Sequence, residues 1–120
     1  MARTAIPVTA LAADAGTVPA TTAVDPTNDH VVTPAGPTDR LLFHLKNTAG
    51  AGKTFTFKAG VNPPAFRKDL GDLIVSLAAT TGEQFVVIES ARFMQADGTL
   101  NLDVEAGATG NEAVYRLPTV

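Results

Sequence analysis

Arg40-Leu41-Leu42-Phe43-His44-Leu45-Lys46 is the stretch that decides the fold class. Leu41, Phe43 and Leu45 fall on one side of an extended chain, and Arg40, His44 and Lys46 fall on the other. Period two is the signature of a strand with one buried face. The same alternation recurs downstream. Phe55 and Phe57 alternate with Thr54, Thr56 and Lys58, and Leu73, Val75 and Leu77 with Asp72, Ile74 and Ser76. Leu100, Leu102 and Val104 alternate with Thr99, Asn101, Asp103 and Glu105. Gln84 to Ile88 is apolar on both faces and reads as a central, doubly covered strand. Glu112 to Leu117 reads as the last strand, ended by Pro118.

Turn residues separate these runs at short spacing: Asn47 to Gly52, Gly60 to Pro64, Thr80 to Gly82, Asp97-Gly98 and Gly107 to Asn111. Asp97-Gly98 supplies positive φ cheaply and predicts a hairpin joining Arg92–Ala96 to Thr99–Glu105. Asn62-Pro63-Pro64 cannot continue a ladder and predicts a crossover loop. Phe66 to Gly71 is the one place for a helical turn. Together these predict an all-β chain, an antiparallel β-sandwich or a jelly-roll-like barrel, over residues 39–120.

Residues 1–38 differ in character. They hold Pro7, Pro19, Pro26, Pro34 and Pro37, five of the eight prolines, and few large apolar groups. This predicts an extended N-terminal arm with short strands at Ile6 to Leu11 and His30 to Thr33. Ile6, Val8 and Leu11 are its candidate anchors on a partner. Arg3 followed by Ala5 to Ala12 resembles a signal peptide only faintly, because Pro7 and Thr9 interrupt a short apolar run.

The chain has 120 residues, enough for one domain with its own core. It has no cysteine, which excludes disulfides and thiolate chemistry and fits assembly in a host cytoplasm. Net charge is −3, with no basic run, so phosphate-driven nucleic-acid binding is not expected. No apolar run reaches the roughly 20 residues of a membrane span. Charged residues are only 18% of the chain, below the usual quarter or so, which suits a surface partly covered by a partner.

Motifs with catalytic overtones fail on inspection. Gly50-Ala51-Gly52-Lys53-Thr54 has Asn47 where a phosphate loop needs glycine, and Phe55-Thr56-Phe57 after it reads as strand. A Gly-rich hairpin loop is the better reading. Asp97 opens a polar row superficially like a calcium loop, but Leu102 and Ala108 stand where that loop needs Gly and Glu. A solvated or partner-facing strand face fits better. His30 and His44 have no ligand-spaced Cys or His beside them and read as surface histidines. Neither Ser76 nor Ser90 sits in a nucleophile elbow. Asp69, Asp72 or Glu83 could serve a small hydrolase only if a pocket held one of them with a shifted pKa. The absence of Trp and the single Tyr115 argue against sugar or base platforms. The expectation is no catalytic, metal or cofactor site.

Ala2-Arg3-Thr4-Ala5-Ile6-Pro7-Val8-Thr9, the Leu41 to Lys46 strand with Asn47-Thr48-Ala49-Gly50, Lys58 to Pro64, and Glu89-Ser90-Ala91-Arg92-Phe93 carry a resemblance along nearly the whole chain. It resembles small head proteins of tailed bacteriophages from high-GC bacteria. The resemblance implies a virion structural protein, a capsid decoration or cement protein on the head exterior. It implies the major capsid protein and neighbouring copies, as a homotrimer, as partners. A tail or fibre component, or a secreted bacterial β-domain that binds a ligand, are the competing readings.

Overall fold

The computed structural model describes residues 2–34, 41–88 and 90–118. Among the described residues, ten strands form two five-stranded sheets, with almost no helix. The strands are β1 (Thr4–Ala5), β2 (Val8–Ala10), β3 (Thr22–Ala23), β4 (His30–Val32), β5 (Leu41–Asn47), β6 (Lys53–Phe57), β7 (Leu73–Leu77), β8 (Gly82–Val87), β9 (Leu100–Val104) and β10 (Gly110–Arg116). A 3₁₀ turn spans Lys68–Leu70 and one helical turn, α1, spans Ser90–Phe93.

The first sheet runs β1-β4-β9-β6-β7. The second runs β2-β10-β5-β8, with β3 beside β2 along the same edge of β10. The chain passes from one sheet to the other at most connections, so neighbours in sequence face each other across the core. Leu41, Phe43 and Leu45 of β5 and Val114 of β10 meet Phe55 and Phe57 of β6, Leu77 of β7, and Leu100 and Leu102 of β9 in a single cluster. All are at most 2% exposed. Period-two alternation puts their apolar groups there, and each such side chain contributes about 1.5–3 kcal/mol by leaving water.

The all-β expectation stands, and several finer expectations need correction. The sheets are mixed, because β1 pairs parallel to β4 and β2 parallel to β10. Residues 2–34 are therefore stitched into both sheets, and Ile6 sits in the core at 2% exposure. The composition of that segment is poor in large side chains, yet its backbone groups find strand partners. Gln84 to Ile88 does not make a central strand. β8 is the edge of its sheet, and Phe85 and Val87 stand 64% and 63% exposed. Arg92–Ala96 is not a strand. It holds the end of α1 and then a turn in which the Gly98 amide bonds the Gln95 carbonyl at 2.9 Å. Asn62-Pro63-Pro64 lies in a connection between β6 and β7, which pair directly, so no crossover occurs there. The Gly-rich stretch after Asn47 is no hairpin either, since β5 and β6 belong to different sheets.

Candidate functional site

Two features stand out once the strands are in place. The first lies inside. Glu112 on β10 and His30 on β4 both point between the sheets, and neither side chain has exposed surface. Glu112 Oε1 is 3.3 Å from His30 Nε2. The ring nitrogens are otherwise occupied. The Asp25 amide donates to Nε2 at 2.9 Å, and Nδ1 lies 3.2 Å from the Thr4 carbonyl. That pattern fixes a neutral imidazole with its proton on Nδ1. Neither carboxyl oxygen of Glu112 has a hydrogen-bond partner. Burial pushes its pKa up to about 8, and the nearby Asp29 adds to the shift. Burial likewise holds His30 below its ordinary value. Expected as a surface residue, His30 is a core residue. The loop before it supplies its partners: Asp25 is pulled down to about 2 by the Thr4 hydroxyl and by Asn28 and Thr27.

The second feature lies outside. The outward row of the β10-β5-β8 sheet brings Tyr115, Leu42 and Val87 side by side, and next to them Ala113, His44 and Phe85. His44 stacks on Phe85 with centroids 4.6 Å apart and bonds Glu83 at 2.9 Å. The result is an apolar strip, covered at Ala113 and half-buried at Tyr115 and Leu42, that ends on the exposed Phe85 and Val87. The outward face of the other sheet is mostly polar, though Ile74 stands 64% exposed on it opposite Thr56. Thr54, Thr56, Ser76, Asn101 and Asp103 lie on it, and Arg3 pairs with Asp103.

The residues picked out by sequence are scattered. Ile6 is in the core, Val8 packs against it, and Leu11 is half-buried, its amide bonded to the Arg116 carbonyl at 2.9 Å. Asn47 is fully buried. Its side-chain amide donates to Ala51 and Ala78 carbonyls at 3.1 and 3.0 Å, and its oxygen accepts from the Ala49 amide. The apparent phosphate loop is thus an inter-sheet connection pinned from within, and Lys53 Nζ donates to the Ala106 carbonyl. Glu105 accepts from Thr54 on the neighbouring β6, and Asp97 accepts from Thr99 within its turn, so both carboxylates are engaged within the fold. Asp72 bonds the Ala59 amide and Lys58, which hold its carboxyl below the usual range. Glu83 lies on β8 beside His44, and Asp69 is exposed beside Lys68. These three carboxylates do not converge on one pocket.

Among the described residues, no group of three or more His, Cys, Asp or Glu could hold a metal ion. No described helix is long and apolar enough to cross a membrane. A shallow depression of about 720 Å³ lies along Arg3, Gln95, Asp97 and Asn101. Arg3 is paired with Asp103 there, and the Thr99 hydroxyl donates to Asp97 at 2.6 Å within its turn. Sequence reading missed the Glu112–His30 contact because 82 positions separate the two, and neither neighbourhood signals the other. No family model matches this chain, and comparisons with curated proteins and with solved structures find no match either.

Proposed function

We propose that this chain is a structural protein of a phage particle, a decoration protein that binds the head exterior and bridges capsid subunits. In this reading the two sheets form a β-sandwich, and homotrimers sit at lattice junctions against the major capsid protein. The observation that carries it is the apolar strip ending on Phe85 and Val87. Exposed aromatic and β-branched side chains side by side on a sheet face mark an interaction surface. β8 adds an open edge whose backbone can accept another strand. The resemblance of the sequence to small phage head proteins supplies the particle.

The N-terminal segment takes a narrower part than an independent arm. Ile6 and Val8 hold β1 and β2 to this chain's own sheets. The exposed stretch after Leu11, with Val18 at 87% exposure, is what it offers to a neighbour. The test mixes purified protein with undecorated capsids and counts bound copies by sedimentation and electron microscopy. Saturable binding at a lattice-symmetric copy number, weakened by Phe85→Asp, is expected. Absence of binding by the wild-type chain overturns the reading. Binding to tails alone, at six or fewer copies per ring, moves the protein to the tail.

A further inference from the structure

We propose that the Glu112–His30 contact is a proton-operated latch, which holds the N-terminal segment closed over β10 while Glu112 keeps its proton and lets that segment open when Glu112 loses it. The geometry makes the two states unequal. With a proton, Glu112 is a neutral acid against the imidazole, and its burial costs far less than that of the anion. Without one, it is an anion with no donor within reach, facing a nitrogen whose lone pair already accepts from Asp25. An unpaired buried charge is expensive, and the group escapes by reaching water.

The charged groups around the pair do not offset that cost. Asp29 and Asp25 flank it from the loop before β4, and both add negative field. Arg3, from the β1 side, donates to the His30 carbonyl and is held by Asp103. The neighbours of Glu112 across the strands are Thr22 on β3 and Leu45 on β5, neither of which titrates. Arg116 is the cation on the same inward row of β10, four residues further on.

What opens follows from strand length. β10 is held to β5 by seven residue pairs and stays. β1 and β3 are two residues each, and β4 is three. β3 covers β10 beside Glu112, and His30 ties β4 to both Thr4 and Asp25. Losing this contact therefore loosens β1, β3 and β4 together, while the Phe43–Phe57 core stays closed.

The pH window comes from counting protons. Between about 4.5 and 6.5, opening releases a proton from Glu112 but lets a neutral His30 bind one, so the two effects oppose each other. Between 6.5 and about 8 the release dominates, and opening rises about fivefold per unit at its steepest. Above 8 the closed form is ionised too, and the curve levels.

Amide hydrogen exchange on the full chain tests the latch. The reporters are Thr4, Ile6 and Val24, whose amides bond Asp29, Val31 and Gly110 carbonyls. After correction for intrinsic exchange, their opening equilibrium is expected to rise roughly tenfold from pH 6.5 to 8, while β5 amides follow global unfolding. Glu112→Gln is expected to abolish the rise. A flat wild-type profile, or the same rise in E112Q, overturns the proposal. Carbon NMR titration of Glu112 in the wild-type chain gives a check that needs no variant. A midpoint near 8 is expected, and a midpoint in the ordinary carboxylate range overturns the latch.

Discussion

Phe43 on β5 and Phe57 on β6 meet edge to face across the two sheets, with ring centroids 4.9 Å apart and planes at 86°. Each is at most 1% exposed, and Phe93 of α1 closes on Phe57 from 6.1 Å. This contact joins the sheets at their centre. Phe57→Ala leaves a cavity that the surrounding strands cannot fill, and should cost about 3–5 kcal/mol. Chemical denaturation measures it. Phe85→Ala, on the exposed edge strand, should move the same midpoint by less than about 1 kcal/mol.

Asn47 does in one side chain what a run of turn residues does elsewhere. Its three hydrogen bonds fix the Ala49–Ala51 loop and reach Ala78 after β7. Asn47→Ala removes all three bonds and leaves a gap at a fully buried position, so a loss of roughly 2–4 kcal/mol is expected. Asn47→Asp should do no better, because a carboxylate cannot donate to Ala51 and Ala78. Thermal unfolding of both variants at neutral pH checks this; full stability in either would show that the loop is held by something else.

Gly110 opens β10 at φ +132°, and a Cβ there would run into the Lys46 carbonyl. The neighbouring atom is backbone of a central strand and cannot give way. Gly110→Ala should therefore destabilise by more than the ~1 kcal/mol typical of point changes, or prevent folding. Gly50, whose Cβ would meet nothing within 4 Å, should accept Ala with little change in melting temperature.

Much of this architecture is legible in the sequence, and the failures share a cause. Leu41 to Lys46, Lys53 to Phe57 and Leu73 to Leu77 announce themselves because burial and period two are local properties. Gln84 to Ile88 misleads because an apolar outer face reads the same whether a second layer or open solvent lies over it. The N-terminal segment misleads because parallel pairing with β4 and β10 depends on residues as far as 106 positions away. His30 follows an Asp-Pro-Thr-Asn-Asp turn, a surface signal, yet the turn folds back so that Asp25 bonds the ring and covers it. Candidate-site residues picked singly, such as Ile6 and Val8, are legible as apolar but not as to whose core they fill.

Glu112 should also leave its mark on global stability, with a sign opposite to that of most carboxylates. A paired surface carboxylate has a depressed pKa and stabilises the fold as pH rises. Glu112 is raised from 4.5 to about 8, so the folded chain binds its proton more tightly than the unfolded chain. Its favourable contribution is present below pH 4.5 and is lost progressively up to about 8. His30, held below 6.5, works the other way, and its contribution is lost as pH falls through its depressed folded value. The wild-type chain should thus lose stability mainly between pH 6.5 and 8. Glu112→Gln removes the buried charge but still buries an unpartnered amide, a penalty of about 1–3 kcal/mol. At pH 8.5 the variant should be the more stable by roughly 2 kcal/mol, and at pH 5 the advantage should vanish or reverse. Urea denaturation of both proteins across pH 5–9 measures the crossing. Parallel profiles without a crossing would mean that Glu112 reaches solvent in the folded chain.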